Sequence, residues 1–381
     1  MYARSLNLPI GHSYFLFGPR GVGKSNWVRE AFPAALTIDL LDARTYQEYR
    51  AAPERLWDRI ATNGLTVIDE VQKVPELLNE VHRCIEQRGA QFVLTGSSAR
   101  TLRRRGVNLL AGRALLAHMH PLVAEELGDD FNLQRALRFG LLPKAVTSEM
   151  RAEYLAAYTS TYLREEVQQE GLLRNIGAFA RFLEIASFSQ GSLLNVANVS
   201  RDVGIAAKVA GDYFNILDDL LISIRLSPFT RKSKRKIVAH QKFYYFDAGV
   251  FRAVRPRGPL DEESEMAGPA LETLVLQHLR AINDYHSLGF SLSFWRTQRG
   301  DEIDFILYGE KGLLAIEVKH SDRVRREDLA ALELFGEDYS VARKIYVYGG
   351  NRRYVERGIE LWPAEEFFRS CRQILGGELQ A

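Results

Sequence analysis

Cysteine is scarce in this sequence, which argues against disulfide bonds, cysteine metal sites and redox-active cysteine pairs. Only Cys84 and Cys371 occur among 381 residues. They lie far apart and match no spacing typical of a metal site or a redox pair. We therefore expect free thiols, no disulfide framework, and a reducing intracellular setting.

Long apolar runs, repeats and low-complexity tracts are also missing. No stretch approaches the roughly 20 apolar residues that a membrane-spanning helix needs. The first residues, MYARSLNLPIG, lack the apolar segment of a signal peptide. The expected location is the cytoplasm, and no membrane partner is predicted.

An excess of charge of either sign is absent as well. The 50 Lys and Arg residues nearly balance the 48 Asp and Glu residues, so net charge does not indicate a partner and only local clusters can. With 46% hydrophobic and 26% charged residues, the composition is that of an ordinary globular protein. The length allows two or three domains.

The clearest motif is SYFLFGPRGVGKS, residues 13–25, in which a strand-like run leads into G-x-x-x-x-G-K-S. A loop around phosphates needs glycines at unusual φ values and a helix N-terminus that faces the anion. Lys24 is expected to reach the β- and γ-phosphates of ATP, and Ser25 to contribute a ligand to Mg²⁺. The alternative is a plain glycine-rich turn. The predicted nucleotide-binding residues are Gly18, Pro19, Arg20, Gly21, Val22, Gly23, Lys24 and Ser25.

A second apolar run, GLTVIDE, ends in two acidic residues about fifty residues after this loop. It predicts a buried parallel strand with carboxylates at its C-terminal tip. Asp69 is expected to hold Mg²⁺ through water, and Glu70 to polarise the water that attacks the γ-phosphate.

Further candidates for the nucleotide site follow in the next strands. The run QFVLT opens into Gly-Ser-Ser, so Ser97 or Thr95 is a candidate to sense the γ-phosphate, and a helix cap is the alternative for the serine. Arg113 or Arg100 is a candidate to complete a neighbouring subunit's site, and a surface arginine is the alternative. The alternation of strands and helices predicts an α/β parallel sheet.

These motifs together resemble a family of prokaryotic AAA+-type ATPases. The resemblance rests on GPRGVGKS, the Asp-Glu strand followed by VQKVP, LTGSSAR and LAGRA, and later on YTSTYLREEV and FYYFDAGV. It covers nearly the whole chain and implies an ATPase module followed by a C-terminal region long catalogued as a domain of unknown function. The chain departs from the family pattern at Leu141-Leu142-Pro143 and at Arg164-Glu165-Glu166.

The middle of the chain predicts a DNA-binding element. The spacing of Tyr154, Leu155, Tyr158, Tyr162 and Leu163 indicates one buried helical face. Three helical segments and an extended pair then fit a winged helix, which the resemblance also implies. The predicted recognition helix is poorly basic. The predicted wing carries the positive charge that suits phosphate contacts, with a solvated hairpin tip as the alternative; its charged residues are Arg231, Lys232, Lys234, Arg235 and Lys236.

A second constellation lies near the C-terminus. A helix carries Glu272, a strand carries Asp304, and the strand LLAIEVKH carries Glu317 and Lys319 on one face. Asp304, Glu317 and the Val318 carbonyl are expected to bind Mg²⁺, with Lys319 orienting a water. The pattern resembles the PD-(D/E)XK nuclease family, with Glu272 as its helix carboxylate. Candidates to line a DNA path are Arg323, Arg325, Arg326, Arg352 and Arg353.

Three domains are thus predicted: an AAA+ domain over residues 1–128, a helical and winged-helix region over 129–240, and a nuclease-like α/β domain over 241–381. The first hypothesis is an ATP-dependent DNA-processing enzyme with Mg²⁺-dependent nuclease activity. The second is an ATP-controlled switch whose nuclease-like domain binds DNA or a protein without cutting. A homo-oligomer, such as a ring, is expected because AAA+ sites are often completed by a neighbour.

Overall fold

The computed structural model describes residues 2–98, 110–162, 175–256, 258 and 262–379. The chain forms two compact units. The N-terminal unit comprises residues 4–120 and 219–222, and the C-terminal unit comprises the remainder. The predicted boundary at residue 240 falls inside the second unit and stays a prediction.

A parallel five-stranded sheet is the frame of the N-terminal unit, with spatial order β2-β3-β4-β1-β5. Its strands are β1 (Ser13–Phe17), β2 (Leu36–Asp39), β3 (Leu65–Asp69), β4 (Gln91–Gly96) and β5 (Ala114–His118). Its helices are α1 (Lys24–Ala31), α2 (Ala43–Ala51), α3 (Arg55–Arg59) and α4 (Leu77–Arg88). The α/β prediction with a parallel N-terminal sheet is confirmed.

The core of this unit explains the apolar runs in its sequence. Every residue of β1 is buried, and so are most residues of β3 and β4, as expected for strands covered on both faces. In register, Phe17 lies beside Gly96 and Asp39 lies beside Asp69. The carboxyl ends of the strands therefore meet at one edge of the sheet, which is where ligands bind in such folds.

Helices open the C-terminal unit, namely α5 (Ala124–Leu127), α6 (Leu133–Phe139), α7 (Pro143–Thr147) and α8 (Arg151–Ala157). Tyr158 and Leu155 are buried, as the aromatic spacing predicted. Leu163 and the Arg164-Glu165-Glu166 segment lie outside the described residues. The next elements are α9 (Ile176–Ser187), β6 (Ser192–Leu193), α10 (Val196–Val203), α11 (Ala207–Asp219), β7 (Ser223–Leu226) and β8 (Lys242–Tyr245). The strands form a small antiparallel sheet in the order β6-β8-β7.

The remaining elements build a mixed six-stranded sheet with spatial order β13-β14-β12-β11-β10-β9. Strands β9 to β11 form an antiparallel meander, and β12 returns parallel to β11 after a helix. The elements are α12 (Ala248–Val254), α13 (Glu263–Tyr285), β9 (Ser291–Arg296), β10 (Glu302–Gly309), β11 (Gly312–Lys319), α14 (Ala330–Asp338), β12 (Arg343–Tyr348), β13 (Tyr354–Glu356), β14 (Ile359–Pro363) and α15 (Ala364–Gly376).

The FYYFDAGV motif holds this unit together through Asp247. The carboxylate is fully buried, caps α12 by accepting from the Val250 amide at 3.0 Å, and accepts from the Leu141 amide at 2.8 Å. It thereby ties the Leu-Leu-Pro turn to the motif. A side chain at Gly249 would lie 2.1 Å from the Phe139 carbonyl oxygen, so this glycine is required by close packing.

Burial raises the pKa of Asp247 to about 6, which predicts a pH-dependent contribution to stability. Below its unfolded pKa the group is protonated in both states; as pH rises through about 6 the folded state must ionise a buried carboxyl, so stability is lost. We expect the parent to lose up to about 3 kcal/mol of unfolding free energy relative to Asp247→Asn between pH 4 and pH 7. Urea unfolding of both proteins at several pH values measures this difference.

A matched control is Asp42, which caps α2 at an exposed position. The Thr45 amide lowers the pKa of Asp42, so its contribution is present at neutral pH and is lost as pH falls. The difference between parent and Asp42→Asn is expected to change with pH in the opposite direction. A difference for Asp247→Asn that is constant with pH, or that follows the Asp42 pattern, contradicts this assignment.

Candidate functional site

The predicted phosphate loop joins β1 to α1. Gly21 and Gly23 have φ values of 85° and 98°, in the left-handed region that favours glycine. Helix α1 begins at Lys24 directly after Gly23. At Gly18, a Cβ would lie 2.4 Å from the Met119 carbonyl oxygen. The sequence therefore places glycine where the backbone requires it. Because α1 begins directly after the loop, the amide groups of its N-terminus are available to an anion bound in the loop.

Lys24 is the buried cation of this loop, with only 5% of its surface exposed. Its ammonium donates to the carbonyl oxygens of Gly18 at 2.6 Å and Pro19 at 3.2 Å. Ser25 follows in the first helical turn and is half-buried, as is Arg20, while Val22 is buried beneath the loop. The ammonium thus lies within the loop, as the spacing predicted.

Arg4 is a positioning residue that the sequence did not indicate. Its guanidinium donates to the Val22 carbonyl at 2.8 Å and to the His120 carbonyl at 2.6 Å. One side chain thereby fastens the phosphate loop to the segment that follows β5. No local pattern marks this role, because its two acceptors lie 18 and 116 residues away.

We expect Arg4→Ala to raise the KM for ATP by roughly fivefold while kcat changes little. Loss of a hydrogen bond to the loop costs on the order of 1 kcal/mol in the free energy of the nucleotide-competent conformation. Steady-state phosphate release as a function of ATP concentration separates the two constants. Arg4→Lys keeps the charge but has a single donor nitrogen in place of the two that reach separate carbonyls, so it is expected to give an intermediate KM. A decrease in kcat alone in Arg4→Ala would contradict a positioning role.

The acidic pair lies at the tip of β3. Asp69 is buried and accepts a hydrogen bond from the Thr95 hydroxyl. Glu70 has a φ of 59°, a strained left-handed conformation for a residue with a side chain, and its amide donates to the same hydroxyl at 3.1 Å. Such strain is common at functional sites. The Thr95 hydroxyl therefore orders both acidic residues, so Thr95 contributes to the arrangement of the site and is not only a residue of the strand.

Gln72 connects the acidic pair to Ser97. Its side-chain amide donates to the Glu70 carboxylate and, at 3.1 Å, to the Ser97 hydroxyl. Ser97 is buried at the end of β4. The predicted sensor and the predicted base therefore belong to one hydrogen-bonded network. The sequence placed Gln72 in VQKVP but assigned it no role.

Arg113 forms an ion pair with Glu86 of α4, and this contact lowers the pKa of Glu86. The assignment of Arg113 to a neighbouring subunit's site stays a prediction, and Arg100 lies outside the described residues.

The N-terminal site also bears on the Mg²⁺ prediction. The Ser25 hydroxyl at the start of α1 and the Asp69 carboxylate at the same sheet edge suit an ion that is held mainly by phosphates and water. The residues of the N-terminal site therefore fit ATP with Mg²⁺.

The basic segment, residues 231–236, follows β7, and its role as the wing stays a prediction. The residues on either side of the segment pair with the edge of the larger sheet: the Phe229 amide donates to the Phe294 carbonyl at 2.6 Å and the Val238 amide to the Arg296 carbonyl at 3.1 Å. The side chains of Arg231, Lys232, Lys234 and Lys236 are exposed. Arg235 instead pairs with Asp338 at 2.7 Å, so it is a structural contact and not a free phosphate ligand.

A groove with a volume of about 720 Å³ lies beside this segment. Lys234 and Lys236 line it together with the β9–β10 turn, which contributes Arg299 and one acidic residue, Asp301. Arg299 was not singled out in the sequence, since the turn is brought to the basic segment only by the fold.

Five other arginines were predicted to line a DNA path. Arg353 is stacked on Trp362 and paired with Glu366, whereas Arg323, Arg325, Arg326 and Arg352 are exposed.

The four C-terminal residues predicted to form a nuclease site do converge. The Asp304 amide donates to Glu317 at 3.3 Å, and Lys319 pairs with Glu317 on the same strand. Glu272 on α13 accepts from the Tyr244 hydroxyl at 3.0 Å. The Val318 amide donates to Asp304 at 3.0 Å, and the assignment of the Val318 carbonyl as a metal ligand stays a prediction.

The residue that the sequence missed at this centre is Lys242 of β8. It is 1% exposed, and its ammonium lies 2.8 Å from Asp304 and also pairs with Glu302. Burial, the largest single cause, lowers the pKa of Lys242, but the surrounding negative charges, with Asp304 foremost, together raise it. Burial likewise raises the pKa of Asp304, but the charges of Lys242 and Lys319 and the hydrogen bonds from Lys242 and Val318 together lower it.

The two glutamates respond in the opposite way. Burial and then the charge of Asp304 raise the pKa of Glu272 to about 8 and that of Glu317 to about 8. Lys319 is 43% exposed along its side chain. Burial lowers the pKa of Lys319, but the charges of Glu317 and Asp304 outweigh burial and raise it.

These residues do not fit a divalent cation as the sequence predicted. Within the described ranges, no group of three or more His, Cys, Asp or Glu side chains is arranged to hold a metal. Both oxygens of Asp304 and both oxygens of Glu317 already accept hydrogen bonds, from Lys242, Val318, Lys319 and Asp304 itself. The two carboxylates expected to bind Mg²⁺ are therefore each paired with an ammonium group of the same chain, Asp304 with Lys242 and Glu317 with Lys319.

Comparison with protein families divides the chain into three parts. Residues 11–128 match the AAA domain family, and the prediction of an AAA-type ATPase module at the N-terminus is confirmed at that level. Residues 130–261 and 267–367 match two domains of unknown function, DUF8612 and DUF4143. Within the described ranges, the helices are too short or too polar to act as a transmembrane span.

Similar curated proteins carry no assigned function. An uncharacterized protein of Mycobacterium tuberculosis is 25% identical over 348 residues, which are 89% of this chain and 77% of that protein. An uncharacterized protein of Methanocaldococcus jannaschii is 23% identical over 292 residues, covering 70% and 63%.

Among solved structures, ORC1 of Aeropyrum pernix in complex with DNA has 14% identity and a TM-score of 0.26, covering 65% of this chain and 87% of ORC1. A Vibrio cholerae protein has 14% identity and a TM-score of 0.24, covering 96% and 97%. Scores this low carry no argument about this chain.

Proposed function

We propose that this chain is an ATPase whose nucleotide state controls how its C-terminal unit binds DNA. The observation that carries the proposal is the loop of residues 18–25, with two glycines in the left-handed region, a helix N-terminus and a buried lysine. Amide groups and one ammonium within a narrow turn suit a triphosphate better than any other common ligand. The AAA domain match over residues 11–128 supports the same assignment.

The N-terminal residues take complementary roles in hydrolysis. Lys24 stabilises negative charge on the transferred phosphoryl group, and Ser25 with Asp69 would hold Mg²⁺, which when bound neutralises phosphate charge. Glu70 orients the attacking water and accepts its proton. Gln72 fixes the Glu70 carboxylate and connects it to Ser97. Thr95 fixes both acidic residues from the next strand.

DNA is the proposed partner because cations line a groove in the C-terminal unit. Lys234, Lys236 and Arg299 lie along it, and Arg231 and Lys232 are exposed nearby. The order α9, β6, α10, α11, β7, β8 supports a winged helix. The exposed residues of α11 include Lys208, Asp212 and Asn215, so the proposed contacts are to the backbone and not to base edges.

The switch hypothesis is favoured over the nuclease hypothesis. The order of one helix, three antiparallel strands, one helix and a parallel strand supports a PD-(D/E)XK-like fold for the C-terminal part. Metal-dependent cleavage, however, needs carboxylates open to a cation, and Lys242 and Lys319 occupy them. The proposed role of this part is binding.

A DNA-binding measurement with charge reversals tests the proposal. Lys234→Glu/Lys236→Glu is expected to weaken binding of a labelled duplex by at least about tenfold near 0.1 M salt, because two phosphate contacts are lost. The matched control is Lys144→Glu/Lys311→Glu, which changes the net charge by the same amount at two exposed positions that do not line the groove. Affinity is also expected to differ between ATP-loaded Glu70→Gln and the ADP form. Equal affinity for both double variants, or for both nucleotide states, contradicts the proposal.

A further inference from the structure

Lys242 is an unusual residue for its position. It begins β8 in the run KFYY, each residue of which is buried. An unpaired ammonium at such a depth would be very costly, so a buried lysine requires compensating carboxylates. Lys242 has two, Asp304 and Glu302, both on β10.

Each oxygen of these two carboxylates already has a partner within the protein. Asp304 accepts from Lys242 through one oxygen and from the Val318 amide through the other. Glu302 pairs with Lys242 through one oxygen and with Arg296 at 2.6 Å through the other. The acidic side chains of β10 are therefore committed to neighbours in the protein.

The chain elements that meet here come from different sheets. Lys242 belongs to the three-stranded sheet β6-β8-β7, whereas Asp304 and Glu302 belong to the six-stranded sheet. A second link, from Tyr244 of β8 to Glu272 of α13, lies two residues farther along the same strand. Strand β8 is thus fastened by polar contacts to both a strand and a helix of the C-terminal part.

We propose that Lys242 is the resident cation of this centre, replacing the divalent metal, and that the Lys242–Asp304 pair locks strand β8 to the six-stranded sheet. The arrangement of β10, β11 and α13 then serves a structural purpose: the carboxylate that was expected to hold a metal binds an ammonium of the same chain. The inference deepens the proposed function, because the preference for binding over cleavage rests on the same Lys242–Asp304 pair, whereas ATP binding and the basic groove do not depend on it.

Manganese binding provides the first test. In the absence of nucleotide, the parent protein is expected to show no Asp304-dependent binding of Mn²⁺ by electron paramagnetic resonance. Asp304→Asn serves as the background for Mn²⁺ held elsewhere on the chain. A site of near-unit stoichiometry that is present in the parent and lost in Asp304→Asn would overturn the inference. This measurement needs only the parent and one variant.

A double-mutant cycle provides the second test. Lys242→Met keeps most of the length of the side chain but leaves buried carboxylates uncompensated, so the melting temperature of this variant is expected to fall, and the fall is expected to be partly reversed by Mn²⁺. Lys242→Met/Asp304→Asn removes both charges and is expected to be more stable than the sum of the single effects predicts. Additive effects would overturn the lock. ATP turnover is the control for the single and the double variant: it is expected to stay at the parent level, since residues 11–128 are unchanged. If the parent protein itself did not hydrolyse ATP, the proposed ATPase function would be refuted, but the inference about the Lys242–Asp304 pair would still stand.

Discussion

Replacement of Lys24 by alanine is expected to weaken ATP binding by at least about 100-fold. The ammonium is buried within the loop and donates to the carbonyl oxygens of Gly18 and Pro19, so it is held where β- and γ-phosphates are expected. Charge-assisted hydrogen bonds contribute roughly 1.5–3 kcal/mol each, and two of them correspond to about this factor in affinity. Isothermal titration with ATP and Mg²⁺ measures the change.

The control for this variant is Arg29→Ala. Arg29 lies on the same helix, is exposed, and carries the same charge. Its removal is expected to change ATP affinity less than about twofold, because screened surface charges contribute little. Equal affinities of Lys24→Ala and the parent would refute the assignment of residues 18–25 as the phosphate-binding loop.

Replacement of Glu70 by glutamine is expected to lower kcat for ATP hydrolysis by about 100-fold or more with little change in ATP affinity. A positioned general base contributes roughly 10²–10⁴-fold to such a reaction. Glutamine retains the shape and the contact with Gln72 but cannot accept the proton. Single-turnover phosphate release, compared with ATP binding, separates the two effects.

Two further variants locate the effect of Glu70. Glu30→Gln alters an exposed carboxylate on α1 and is expected to leave turnover unchanged. Gln72→Ala removes the residue that orients the Glu70 carboxylate and is expected to lower kcat by a smaller factor than Glu70→Gln. Parent-level turnover in Glu70→Gln would show that another group activates the water.

The N-terminal site could be predicted because its residues are set by local spacing. Gly21, Gly23 and Lys24 lie within four positions, and the backbone conformation that a loop of this kind requires admits few other residue types. Asp69 and Glu70 follow a run of buried residues, and parallel strands bring their tips together without further information.

The residues that escaped prediction act across long distances in the sequence. Arg4 reaches an acceptor 116 positions away, and Lys242 pairs with a carboxylate 62 positions away. For Lys242 a signal was present, since a lysine that opens an aromatic strand needs a buried counter-ion. Gln72 offered no such signal, because an isolated glutamine is usually a surface residue. The pairing with β9 on either side of the basic segment also escaped prediction, because it depends on tertiary structure.

The most direct test of the whole account compares the affinities of ATP and adenosine for the parent protein. If the loop of residues 18–25 recognises phosphates, ATP with Mg²⁺ binds at least about 100-fold more tightly than adenosine, since most of the binding energy comes from charge-assisted contacts to the β- and γ-phosphates. Comparable affinities for ATP and adenosine, or no measurable binding of ATP, would contradict the account.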